Sequence, residues 1–590
     1  MAIKTDNGSV WAEYQRGLNY QTKMGFSTNW AENIRLKEGN MWSAPTEKTK
    51  YMPRPVFNQL DFIVENKLSN ILGQSLKMIF SPEELPQGDN EEDLSTKIEE
   101  LNNAADDMTD MAQNTWNDID QETLSEECVD DVLTIGTGAF HYYFDNSITG
   151  GIFTKYVGKL QGDIIDPMDL FLGNPQLRPT QTQKQPWIII RTREDVEIIK
   201  EKAKENGENY LSITADDKQD NQYDNAKNDI DEANKVTCLT KYYKDKGQIY
   251  WTKVTESAVV QKPIPLAPEG AVVPCTLYPV EIVVFKSRKK SVFGRAIIDD
   301  IKKNNIAINW GIGMMLLSVQ QTAWPKIIAK VGALIQSVTN EPGEIITDNL
   351  PNPGIDGIKY MQPPNFSNTP VVLAEKILDI TRQVTGVTEV NAGEVIGANM
   401  AAAAIIALQN QAKKPNERYE KIFARSTKNI GKIWEMFYKT YYNMPRPIQA
   451  KDKEGKDITK VFDGSKYAEM GFGLSVDVGP ASIFNESLQV SIIEKMYDKG
   501  DLDKYGYVKY MPKNTVPSEL RQDFEKEAEQ IAEQQQTMQG EQMMQAKIDE
   551  ALSQLSPEEQ EELNNNPELM KQFAEAIQGG GANEMSTMQP

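Results

Sequence analysis

Gly386-Val-Thr-Glu-Val-Asn-Ala-Gly-Glu-Val-Ile-Gly-Ala-Asn399 runs directly into Met400-Ala-Ala-Ala-Ala-Ile-Ile-Ala-Leu408. The first stretch, with three glycines and a Thr/Asn bias, has the composition of a loop. The second is a strong helix former. Upstream of the loop, Thr369-Pro370 reads as an N-cap followed by proline at the first helical position. Leu373, Ile377, Ile380 and Val384 then share one helix face, and Gly386 closes the helix. Further upstream, Ile297, Ile301, Ile308, Ile312, Met315 and Val319 mark a long amphipathic helix that ends before Pro325. At 1.5 Å per residue it is about 45 Å long. Between the two helices lies an irregular stretch, 325–364, with short β candidates at 326–330 and 344–347. Helix, β-containing excursion and helix make a hairpin with something mounted on its tip.

Downstream, the helix over 400–442 contains Pro415, which should kink it rather than end it. The apolar period resumes at Tyr419, Ile422, Phe423, Ile430, Trp434, Phe437 and Tyr441. Its polar side is basic, with Lys413, Lys414, Arg418, Lys421, Arg425, Lys428, Lys432 and Lys439 against Glu417, Glu420 and Glu435. That side is either a solvated face paired with neighbouring acids or a lining that touches phosphates transiently; sequence alone leans to the first. A β-like piece at 472–478 and a helix near 485–499 follow. The Gln-, Glu- and Met-rich tail reads as helical near 519–555 and disordered at its end.

The first 80 residues look helical, with Trp11, Tyr14 and Leu18 on one stripe and Phe62, Val64, Leu68, Ile71, Leu72 and Leu76 on another. A polar link over 81–93 leads to a helix near 94–135. The text then changes to strands at 139–145 and 152–157 around Gly150-Gly151, with further β runs at 187–191, 236–243 and 278–285. The polar stretch 205–234 reads as a mobile insertion. The fold class is α+β and mostly helical.

The 590 residues allow about four domains. Lys and Arg number 63 against 86 Asp and Glu, a net charge of −23. A chain this acidic does not wrap nucleic acid by bulk charge. The deficit is uneven, however: residues 518–590 carry 16 acids and 4 bases, and the body is only mildly acidic. The start lacks the apolar segment of a signal peptide, and the longest apolar run, 400–408, is far short of a membrane span. The expectation is a soluble, non-secreted protein without membrane partners.

Chemistry is sparse. His141 is the only histidine, and Cys128, Cys238 and Cys275 lack metal-ligand spacing and read as free thiols. Gly136-Thr-Gly138 lacks the third glycine and following helix of a dinucleotide fingerprint, so it reads as a helix-to-strand turn. The same holds for Gly471-Phe-Gly473. No phosphate-binding GxxxxGK[ST] occurs. The pairs Asp106-Asp107, Asp130-Asp131 and Asp299-Asp300 could in principle hold two metals, but neighbours on a helix diverge by about 100°, which favours solvated faces. No catalytic residue, cofactor or metal is assigned.

Five passages carry a resemblance that spans about residues 10–520. They are Pro53-Arg-Pro-Val-Phe-Asn-Gln-Leu with Val64-Glu-Asn-Lys-Leu-Ser-Asn-Ile-Leu, then Asp131-Val-Leu-Thr-Ile-Gly-Thr-Gly-Ala-Phe, Ile165-Asp-Pro-Met-Asp-Leu-Phe-Leu, Phe293-Gly-Arg-Ala-Ile-Ile-Asp-Asp-Ile-Lys and Gly386-Val-Thr-Glu-Val-Asn-Ala-Gly-Glu. Their order resembles the tailed-bacteriophage portal proteins. The resemblance implies a wing at 1–293, stem helices at 294–324 and 365–386, and a β-containing clip at 325–364. It further implies a tunnel loop at 387–399, a long kinked wing helix and wing return at 400–480, a helical crown and tail at 481–555, and a mostly disordered acidic tail at 556–590. It also implies a ring, usually of twelve copies, at one capsid vertex of the virion, assembled in the host cytoplasm and serving as the channel for packaging and ejecting double-stranded DNA. Terminase large subunit, then head-tail adaptor proteins, would meet the clip through Lys326, Lys330, Glu341, Glu344 and Asp348; major capsid and scaffolding proteins are further implied partners. Thr388, Asn391 and Asn399 would brush phosphates while Glu389 and Glu394 prevent sticking. The basic wing-helix face centres on Lys413, Lys414, Arg418, Lys421 and Arg425. The alternatives are a phosphodiester-cleaving enzyme with a helical accessory region and another virion scaffold or capsid protein.

Overall fold

Helix α1 (Asn7–Lys23) lays Val10, Trp11 and Tyr14 onto Phe171 and Ile189 of a sheet, and Gly17 lets it come close. A Cβ at Gly17 would stand 2.7 Å from the Phe171 ring. The computed structural model describes residues 4–478 except 48, 51, 74–75, 84–90, 152–154, 217–233, 324–326, 330–357, 361–368, 388–401 and 452–456, and beyond them 490, 493–500, 506–507 and 511. After α2 (Phe26–Lys37) and α3 (Gln59–Leu72) comes β1 (Leu76–Pro82), so Leu76 belongs to a strand and not to the α3 stripe. The helix expected over 94–135 is two, α4 (Glu91–Asp118) and α5 (Gln121–Thr134), broken where Asp120 takes φ 50°.

Strands β2 (Gly138–Gly150) and β3 (Tyr156–Ile164) form an antiparallel hairpin, with β9 (Val280–Val283) on the other side of β2. A five-stranded antiparallel sheet follows the order β4 (Leu170–Leu172), β5 (Trp187–Asp195), β6 (Lys235–Asp245), β7 (Gln248–Val254), β8 (Val259–Pro265), with α6 (Val196–Glu205) after β5. Ile188 and Ile190 face one core while Ile189 faces another. A strand buried on both faces thus reads as a continuous apolar run, because successive side chains point to opposite sides. In the stretch expected as a polar insertion, residues up to 216 are described: Ile213 is buried and Asp216 pairs with Arg193. Residues 217–233 lie outside the described set.

Then come α7 (Ile298–Ala323), β10 (Ile327–Ala329), β11 (Ile358–Tyr360), α8 (Thr369–Thr385) and α9 (Ala402–Tyr441). At 26 residues α7 is about 39 Å long. Strand β10 pairs antiparallel with β11; the β candidate at 344–347 lies outside the described residues. The hairpin of β12 (Arg446–Lys451) and β13 (Asp457–Phe462) was not expected. Finally β14 (Phe472–Val478), the β-like piece expected there, pairs antiparallel with β1. The largest core gathers α3, α4, α5, β2, the second half of α9 and β14 around Trp434, Phe437, Tyr438 and Tyr142. Residues 1–481 form one unit and 482–590 a second, in which the rings of Tyr497 and Tyr507 lie 4.7 Å apart and Ile493 and Met511 are buried.

Candidate functional site

Two of the quoted passages meet in space. Two residues after α5 comes Gly136 (φ 95°), and the strap Phe293-Gly294-Arg295 that leads into α7 crosses it. A Cβ on Gly136 would sit 2.7 Å from the Ala296 nitrogen, and one on Gly294 would sit 2.2 Å from the Gly136 carbonyl. The Gly294 N–H donates to Thr137 Oγ1 at 2.9 Å, and the Ile297 N–H to the Leu133 carbonyl at 3.1 Å. Gly136-Thr-Gly138 is therefore the expected helix-to-strand turn, and its glycines also make room for the α7 entry.

The first turns of α7 are fixed by polar contacts. Asp299 Oδ1 accepts from Asn29 (2.8 Å) and Asn33 (3.0 Å), while Asp300 pairs with Lys286 (2.7 Å) and Arg295. Buried Lys302 reaches Glu32 at 2.5 Å and Asn33 at 3.0 Å. Further along, Asn309 exchanges hydrogen bonds with the backbone of Phe57 at 2.8 and 3.1 Å. The carboxylates at the helix start also suit the N-terminal end of the helix dipole. Asp299-Asp300 is thus an anchored pair, not the solvated face expected. Asp107 likewise binds Lys460 (3.2 Å) and Tyr467 (2.7 Å), and Asp130 binds Lys37 (2.5 Å). Among the described residues, no group of three or more His, Cys, Asp or Glu could hold a metal ion.

Beyond Asn309 the character of α7 changes. Trp310, Met314, Leu316 and Val319 are exposed, as are Val372, Leu373, Ile380 and Val384 on α8, with Val319 and Leu373 at 57% and 58%. The two helices join through contacts such as Asn304 Nδ2 to Thr381 Oγ1 at 3.1 Å. Trp310 leans on the Trp42 ring, 5.4 Å between centroids, while Val319, Val372, Leu373 and Val384 are more than half exposed. Helix α8 closes at Gly386 (φ 70°) as expected, and Gly386 rests against the Pro415 ring, 3.2 Å from a notional Cβ.

Helix α9 runs through Pro415. Phe423, Ile430, Trp434 and Phe437 are buried, while Lys414, Arg418, Lys421, Arg425, Lys428 and Lys432 are exposed at steps of four and three, which is one helical stripe. Lys421 meets Glu417 at 3.4 Å in a solvent-exposed pair. Lys439 leaves this side: it is held by Glu435 (2.6 Å) and the Met470 carbonyl (2.6 Å). Lys413 lies in α9, and nothing is described of its side chain. Beside the proline, buried Lys67 of α3 donates to Asn416 Oδ1 at 2.7 Å and lies over the Tyr419 ring. Burial, with Lys286 nearby, lowers its pKa to about 8.

Thr388, Glu389, Asn391, Glu394 and Asn399 lie outside the described residues, as do Lys326, Lys330, Glu341, Glu344 and Asp348. His141 Nε2 sits 3.0 Å from Tyr242 Oη, and burial brings its pKa down to about 4, so the ring is neutral at pH 7. The three cysteines are free and buried, and burial pushes the Cys238 and Cys275 thiols up to about 12. Sequence reasoning missed the exposed outer face of the α7–α8 pair as a surface in its own right; its signal was already present in Leu373, Ile380 and Val384.

The family model of the phage P22-like portal protein matches residues 175–565, well over half of the chain. The chain belongs to the phage P22-like portal protein family. It is thus a bacteriophage portal protein, a virion component of genome packaging. Such portals are generally structural and homo-oligomeric, sit in the capsid and interact with capsid and terminase proteins. No curated protein matches the chain. The match contains α7, α8 and α9 and continues into the acidic tail; the quoted passages at 53–60, 64–72, 131–140 and 165–172 precede it. Among the described residues, no helix is long and apolar enough to cross a membrane.

Proposed function

We propose that this portal protein forms a closed ring, with twelve copies as the expected number, whose lumen passes double-stranded DNA and whose tip receives the terminase large subunit and later the head-tail adaptors. The observation that carries the reading is the set of exposed apolar side chains on α7 and α8, among them Val319, Val372, Leu373, Ile380 and Val384. Keeping several large apolar side chains on adjacent helices in water costs roughly 25 cal/mol per Å² of apolar area. A head-to-tail contact between copies covers such a face on every subunit and closes into a ring.

In this arrangement residues 387–399 face the duplex. Thr388, Asn391 and Asn399 make weak phosphate contacts, and Glu389 and Glu394 keep the duplex from adhering. Residues 325–364 form the tip, with Lys326, Lys330, Glu341, Glu344 and Asp348 as docking contacts. The α9 stripe of Lys414, Arg418, Lys421 and Arg425, with Lys413 beside it, offers weak salt-dependent attraction to phosphates. Purified full-length protein should appear in electron micrographs as hollow rings, and Val372→Asp combined with Leu373→Asp should leave single subunits. A wild-type protein that stays monomeric under assembly conditions and cleaves DNA with added metal overturns the reading.

A further inference from the structure

Between α4, β3 and the β12–β13 hairpin lies a cavity of about 370 Å³ whose lining includes Asn117, Asp118, Tyr156, Lys159, Arg446 and Gln449. Arg446, the first residue of β12, is only 4% exposed. Its Nη1 donates to the Gly158 carbonyl at 3.0 Å. The guanidinium stacks on the rings of Tyr442, 3.6 Å from the centroid, and Tyr156, at 4.8 Å. Its Nε and Nη2 have no hydrogen-bond partner and are out of contact with water. Those two N–H groups form one edge of the guanidinium, the fork that matches the two oxygens of a carboxylate. The tyrosine faces offset part of the charge, but a buried, unsatisfied donor pair on a cation is costly. Other lining groups are already occupied: Lys159 holds Asp118 at 2.7 Å, and Asn114 is bonded to the backbone of Gln449. The ionised lining groups, Arg446, Lys159 and Asp118, sum to one positive charge.

We propose that this cavity is a carboxylate site, in which Arg446 Nε and Nη2 grip both oxygens of one incoming carboxylate. One anionic charge balances the lining, and because the Nε–Nη2 edge is closed to water, entry of the carboxylate requires a shift in the lining, which includes the half-buried Tyr156 and the exposed Gln449. The carboxylate belongs either to a small free acid or to an Asp or Glu of a second copy. The site stands on Arg446 and its surroundings, independently of how the α7–α8 face is used.

The test follows the thermal midpoint of the full-length protein against sodium acetate, sodium phosphate and sodium chloride at matched ionic strength. Acetate should raise the midpoint saturably and at lower concentration than phosphate, with chloride inert. Arg446→Lys keeps the charge and loses the fork, and should weaken the apparent acetate affinity at least about tenfold. Asp118→Asn, which leaves Arg446 in place, should strengthen it severalfold. An acetate response retained in the assembled protein identifies a free acid; one present only in isolated subunits identifies a side chain of a second copy. An Arg446→Lys response equal to wild type, a weakened Asp118→Asn response or tighter binding of phosphate than of acetate would overturn the proposal.

Discussion

Helices α7 and α9 carry similar apolar stripes and meet different fates. In α9, the stripe from Phe423 to Phe437 is buried against α3, α4 and β14 of the same chain. In α7, Ile301 and Ile308 are buried, yet Val319, three turns further along the same stripe, is exposed, and on α8 Leu373, Ile380 and Val384 are exposed as well. An amphipathic period states that a face will be covered; it does not state which molecule covers it. Under the ring proposal, the difference separates the part of the portal subunit that folds from the part that is left for assembly.

The comparison breaks most sharply at Trp434. Replacing it with Ala should lower unfolding stability by about 3–5 kcal/mol, measured by chemical denaturation, because the core around it is close-packed. A loss under about 1 kcal/mol would show that this core is loosely packed. Gly136→Ala should cost about 2 kcal/mol or more by the same measurement, since a Cβ there meets backbone atoms at a positive φ.

Lys67 sharpens the contrast at the α3–α9 contact. Its folded pKa, lowered to about 8, lies below the 10.5 of an exposed lysine, so the unfolded chain binds more protons between those values. Stability should therefore rise as pH climbs from about 8 to 10.5, by about 1–2 kcal/mol after allowance for screening. Lys67→Met should remove that rise from a series of denaturation midpoints. The smallest effect on the single chain is expected at Val372→Asp with Leu373→Asp, within about 0.5 kcal/mol per site. Sedimentation velocity should nevertheless show assembly lost. If the double variant destabilised the isolated subunit as much as Trp434→Ala, the face would belong to an intrachain core.

Much of the fold was legible from local signals. Pro370 and Gly386 marked the two ends of α8, because proline suits the first turn of a helix and glycine the left-handed position after its last. Strand β1 was missed because Leu76 continues the helical spacing of α3, and its pairing partner stands some 390 residues away. The β12–β13 hairpin was missed because its alternation is short and interrupted by charge. Arg446 carries no local signal, since nothing nearby in sequence announces that two tyrosines, Tyr156 and Tyr442, will enclose it.

The sequence by itself determined the long helices α7, α8 and α9, most strands of the sheets, the acidic tail and the resemblance to portal proteins. These depend on periodicity, composition and local backbone preference, which a single strand of text contains. Only the tertiary structure decided that Asp299 and Asp300 anchor α7, that the basic side of α9 is exposed from Lys414 to Lys432, and that one apolar stripe is buried while another remains uncovered. Burial is a property of what comes near in space, and contacts across hundreds of residues leave no local trace.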